Sequence, residues 1–142
     1  MLTSFITIHS TKKLAAKFPK AFFTAQPEQV GNVVYLNTPA SKNPLGHWHA
    51  NLLLLQRCQC VLMVHDETRF PLFIPNLRKD DFARFEFYFR DVLMNTLLKL
   101  DASEQQMENA SRLLESLRFD TVCNKSVLGT MIQMTGDVKY LL

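Results

Sequence analysis

HWHANLLLLQRCQCVLMVHDETRFPLFIP, residues 47–75, decides how this chain folds. It contains three apolar runs, HWHANLLLLQR, QCVLMVHD and TRFPLFIP, separated by short polar breaks near Arg57–Gln59 and at Glu67. Runs of this length, rich in β-branched and aliphatic residues and bounded by polar breaks, predict three consecutive antiparallel strands. Leu52–Leu55 and Val61–Val64 are apolar at successive positions, so both faces of the first two strands should be covered and both should lie centrally. Pro71 interrupts the third run and cannot donate a ladder hydrogen bond, which predicts an edge strand or a bulge.

Outside this meander the periodicity changes. SFITIH (Ser4–His9) alternates as a strand, and KKLAAKF after it places Leu14 and Phe18 on one helical face up to Pro19. Pro27, Gly31 and Pro39 mark loops around a short candidate strand, Val33–Leu36. Phe82, Phe85, Phe89, Val92, Leu93 and Leu97 follow the helical period after Asp80 and Asp81. Ser103 and Gln106 form a capping-box pair ahead of a second helix. RFDTVCN (Arg118–Asn124) alternates again, and a last helix capped by Ser126 should stop at Gly136. The expected fold is α+β: a central antiparallel strand meander with an N-terminal and a late strand added, packed by three to four helices, in one domain over residues 1–142.

Composition excludes several classes. A chain of 142 residues with 47% hydrophobic and 20% charged residues is globular, not disordered. The cysteines Cys58, Cys60 and Cys123 are odd in number, which suits reduced thiols in the cytoplasm. At the N-terminus apolar residues precede the lysines, the reverse of a signal peptide, and four consecutive leucines are too few to cross a bilayer. Six of the sixteen basic residues (Lys12, Lys13, Lys17, Lys20, Lys42 and Arg57) precede Asp66, against Glu28 alone. That asymmetry suits an anionic partner, although nucleic-acid domains carry a denser basic patch.

Two constellations carry candidate chemistry. H-x-H and C-x-C each place two ligand types on one face of a strand. A mixed zinc site would need them at one ion, yet nine extended residues from His49 to Cys58 span roughly 30 Å. The sequence therefore assigns no metal and no cofactor. At the other end of the same hairpin, His65 and Asp66 return to the level of His47 and His49. Register decides the outcome: with His49 opposite Asp66, His65 lies on the Trp48 face, and a slip of one residue brings His65 to His47 and His49. Three imidazoles with a carboxylate could shuttle protons or hold a divalent ion. Trp48 reads as a packing anchor and Gly129 as a close-packing position. Lys125 and Ser126 stand where a helix N-terminus favours an anion. Phe87, Tyr88 and the YLL tail offer a surface for a protein partner or a homodimer.

Five segments in one order resemble a family of uncharacterised small bacterial proteins, a domain of unknown function. They are TKKL (Thr11–Leu14), LGHWHANLL (Leu45–Leu53), the basic turn at Arg57, HDETRFPLFIP (His65–Pro75) and NKSVLGTM (Asn124–Met131). The resemblance points to Lys12, Lys13, Trp48, Asn51, Arg57, Lys125 and Ser126. The resembling pattern often carries an acidic residue at His47, an aromatic at His49 and an arginine at Lys125. It supplies no activity and implies a bacterial, cytoplasmic accessory protein, of a kind carried on mobile elements. The functional expectation is thus a non-catalytic binding or regulatory module meeting an anionic ligand or a protein, with no membrane partner. The alternative is a small metal- or histidine-dependent hydrolase or nuclease-like enzyme using His47, His49, His65 and Asp66. A third is a self-associating structural protein.

Overall fold

The computed structural model describes residues 5–24, 43–114 and 116–141. The candidate strand Val33–Leu36 lies outside them. Among the described residues five strands form one mixed sheet in the order β4-β3-β2-β1-β5. β1 is Ile6–Ser10, β2 His47–Leu55, β3 Cys58–His65, β4 Pro71–Leu77 and β5 Leu117–Asp120. The helices are α1 (Lys12–Ala15), α2 (Ala21–Thr24), α3 (Phe85–Lys99, entered through a 3₁₀ turn, Lys79–Arg84), α4 (Glu104–Leu113) and α5 (Lys125–Leu141). The architecture is α+β, with the expected meander in β2, β3 and β4. Among the described residues no helix is long and apolar enough to cross a membrane.

The hairpin turn falls one residue earlier than the sequence suggested. Gln56 and Arg57 both adopt left-handed backbone, φ 49 and 68, so a two-residue turn closes directly onto Leu55 and Cys58. That turn fixes the register: His49 lies opposite Val64, and Trp48 opposite His65. Pro71 opens β4, which is the edge strand, and a bulge lies in the β3–β4 ladder between Gln59 and Val61. β1 runs parallel to both β2 and β5, an orientation that the sequence reading had left open.

The two faces of the sheet differ. Ile6, Ile8, Trp48, Ala50, Val61, Met63, Leu72 and Ile74 point to one side, into a core closed by Leu14, Phe18, Phe82, Phe85, Phe89 and Leu93. Trp48 is 1% exposed, meets Phe89 and His65 edge-on, and donates its indole N–H to the Leu45 carbonyl at 2.8 Å. On the other side α5 lays Val127 and Met131 over Val64, and Met134 and Val138 over Leu53, Leu55 and Leu62. Helix α5 covers β2 and β3, while the same face of β1 and β5 carries Thr7, His9, Arg118 and Asp120. Gly136 does not stop α5, which continues to Leu141. Gly129 is not a close-packing position either, because a Cβ there would meet nothing within 4 Å.

Candidate functional site

Parallel pairing aligns His9 with His49 on one side and with Asp120 on the other. The preceding pair is Thr7 with His47, and β3 continues into Asp66, whose backbone N–H donates to the His47 carbonyl at 3.0 Å. Paired residues point to the same face, so three imidazoles and two carboxylates meet there. The His9 and His49 ring centroids are 4.9 Å apart, and those of His9 and His47 are 5.3 Å apart.

The hydrogen bonds fix most of the proton positions. His49 is 2% exposed; the backbone N–H of Asn124 donates to its Nε2 at 2.8 Å. Its proton therefore sits on Nδ1, which donates to Asp66 at 2.8 Å. Through these two bonds His49 ties the start of α5 to the end of β3. His9 Nδ1 donates to the Asp120 carboxylate at 2.7 Å. His9 Nε2 faces His47 Nδ1 at 3.0 Å, with the two rings within 4° of parallel. Their centroid separation exceeds the nitrogen contact by roughly one ring width, so the imidazoles meet nitrogen to nitrogen, in plane. An N–H must stand between them: neutral His9 accepts from His47, and protonated His9 donates to it.

Charge balance follows from the packing. Burial, and then the neighbouring His9 charge, hold the His47 pKa below the ordinary imidazole value, outweighing Asp66 and Asp120. For Asp66, burial pushes upward, but the His49 hydrogen bond and the His49, His9 and His47 charges together bring its pKa below the usual carboxylate value. Burial, with Asp120 and Asp66 nearby, pushes the Cys123 thiol up.

His65 does not join the cluster. It lies on the Trp48 face, where its Nε2 donates to the Pro44 carbonyl at 2.7 Å and Thr68 Oγ1 lies 2.9 Å from its Nδ1. The reason is the early turn, which shifts the pairing by two residues from the His49–Asp66 option and leaves the parity of His65 unchanged. The cysteines Cys58 and Cys60 pair with Leu55 and Leu53, at the far end of the hairpin from the histidines.

Lys12 and Lys13 open α1 and Lys125 opens α5, all exposed. α1 buries Leu14 on the Trp48 face and α5 buries Val127 on the opposite face, so the two lysine groups belong to helices on different sides of the sheet. Ser126 does not cap α5. Asn124 does, its side chain accepting from the N–H groups of Ser126 and Val127, while Ser126 Oγ accepts from Arg69 at 3.0 Å. Asn51 accepts from Thr11 Oγ1 at 2.8 Å, which joins the cap of α1 to β2. Arg57 lies at the hairpin tip.

His9, Asp120 and Asn124 make contacts within this cluster that the sequence reading did not single out. The available signal was that His9 and Asp120 each fall in alternating segments, and their meeting depends on parallel pairing of two strands 111 positions apart.

Fold and site together define an α+β fold bearing a histidine–carboxylate cluster on one face of its sheet. The chain belongs to the family described as a domain of unknown function, DUF6933, whose model matches residues 7–142. Neither the comparison with curated proteins nor that with solved structures gives a match.

Proposed function

We propose that this protein is a small hydrolase-like enzyme whose chemistry takes place at His9 and His47. The observation that carries the reading is the in-plane Asp120–His9–His47 chain, with contacts of 2.7 and 3.0 Å. His49 and Trp48 are explained by packing, since each is buried and bonded to the fold. His47 is exposed, and its partner is another imidazole, so packing gives no account of it. A carboxylate that orients a histidine, which in turn contacts a second polar group, is the arrangement that general acid–base and nucleophilic sites use. The reaction class is addition of water across an ester or phosphoester bond, yielding an acid and an alcohol. A purely basic docking surface is less favoured, because the lysine groups sit on opposite sides of the sheet and the α5 amides are already capped by Asn124. Three unpaired thiols support a reducing, cytoplasmic setting, and the motif resemblance supports a bacterial accessory role.

The test is a panel of chromogenic carboxylic, phosphomonoester and phosphodiester substrates, run with wild type and His47→Ala. Turnover of at least one class, falling by about 100-fold or more in the variant, is expected. No turnover on any class, or equal rates in the two proteins, refutes the reading.

A further inference from the structure

We infer that His9 Nε2, His47 Nδ1 and the Asp66 carboxylate hold a divalent transition ion of the zinc type. The inference rests on the proposed hydrolytic surface and assigns activation of its water to the ion, with the facing nitrogens of His9 and His47 serving as ligands rather than as acid–base groups.

One ligand atom from each of the three residues lies within 4.8 Å of the others, on one face of the sheet. The His9–His47 nitrogen contact of 3.0 Å has the length of an edge of a coordination polyhedron, and ligation moves the proton of His47 from Nδ1 to its Nε2 so that both facing nitrogens present lone pairs. With metal–nitrogen bonds of about 2.0–2.1 Å, adjacent ligands stand about 2.9–3.4 Å apart. The ion would lie off the line joining the nitrogens, so each ring turns by about 40° from its head-on contact. Asp66 then has at most about 2 Å to close.

The outer partners suit ligation. Asp120 holds the proton of His9 on Nδ1 and leaves Nε2 as the lone pair, the carboxylate–histidine pairing found behind metal-bound imidazoles. Asp66 is aimed by the Nδ1–H of His49, which the Asn124 amide fixes in that tautomer. Two of the three ligands thus have an orienting partner anchored on a different element, β5 for His9 and the start of α5 for Asp66. Two imidazoles and one carboxylate favour zinc, cobalt or nickel over magnesium or calcium, which take oxygen ligands. Three protein ligands leave a position for water, whose pKa a zinc ion brings to about 7.

The test uses the full chain without a histidine tag, stripped with a chelator and titrated with Zn²⁺ by calorimetry and with Co²⁺ by visible absorption. One ion per chain with a Kd of about 1 µM or tighter is expected. His47→Ala, at an exposed position, should weaken binding about 100-fold or more, and Asp120→Asn by about 10–100-fold, with unchanged circular dichroism. Mg²⁺ and Ca²⁺ should not compete. Absence of saturable binding below about 100 µM overturns the inference, as does an unchanged isotherm in His47→Ala. Turnover that persists in chelator would sink the ion and leave the proposed hydrolysis standing. Stoichiometric zinc binding without turnover on any substrate class would support the ion and sink the hydrolysis.

Discussion

His49→Leu separates the scaffold of the site from its working surface. The substitution keeps an apolar side chain in a position that is 2% exposed and removes both ring nitrogens. Asp66 then loses the donor at 2.8 Å, a hydrogen bond to a charged group, which contributes about 1.5–3 kcal/mol. The Asn124 N–H loses its acceptor, at about 1 kcal/mol. Together the loss is about 3 kcal/mol. For a chain of this length unfolding entropy is about 0.3 kcal/mol per degree, so the midpoint should fall by about 10 °C. His47→Ala removes one exposed hydrogen bond and should cost no more than about 1 kcal/mol, or about 3 °C. Thermal and urea unfolding of both variants in chelator, at one pH and protein concentration, make the comparison. A His49→Leu protein within about 1 kcal/mol of wild type would refute the claim that this imidazole anchors Asp66 and the start of α5.

Other expectations follow from the same packing. Asp81 accepts from the Arg78 backbone N–H at 2.8 Å and from Tyr88 at 2.9 Å, and these contacts lower its pKa. A depressed carboxylate pKa gives stability that is present above the unfolded value and lost as pH falls through the folded one. Asp81→Asn should therefore flatten the acid limb of the stability profile below about pH 4, and an unchanged limb in urea melts would count against this. Arg57 holds φ 68 at the hairpin tip, so Arg57→Gly should raise stability by up to about 1 kcal/mol. A lower denaturation midpoint would mean that the arginine side chain contributes more than its backbone strain costs. Trp48→Ala removes the indole between Phe89 and His65 and should cost about 3–5 kcal/mol, or leave the chain unfolded; a loss below about 1 kcal/mol by urea melts would refute its role as anchor.

Much of the fold was legible because local signals agreed with one another. Apolar runs bounded by tight turns marked β2, β3 and β4, Pro71 pointed to the edge, and the Ser103–Gln106 box stands at the start of α4. The site was only half legible. His47, His49 and Asp66 lie in one hairpin, so local spacing brought them close. His65 was resolved only by the turn, because its face depends on the parity of the pairing, and Gln56 with Arg57 form a left-handed two-residue turn without a glycine to announce it. His9 and Asp120 were invisible as partners, since they meet through parallel ladders whose strand order no local pattern encodes. The α5 cap was misassigned to Ser126 because Asn124 is an equally good capping residue two positions earlier.

The most direct measurement is a crystal structure from protein soaked in Zn²⁺, with anomalous difference maps recorded on both sides of the zinc edge. One strong peak is expected about 2.0–2.2 Å from His9 Nε2, His47 Nδ1 and an Asp66 oxygen, with Asp120 still on His9 Nδ1. A map with no peak at that position, or with His9 and His47 turned away from each other, would contradict it.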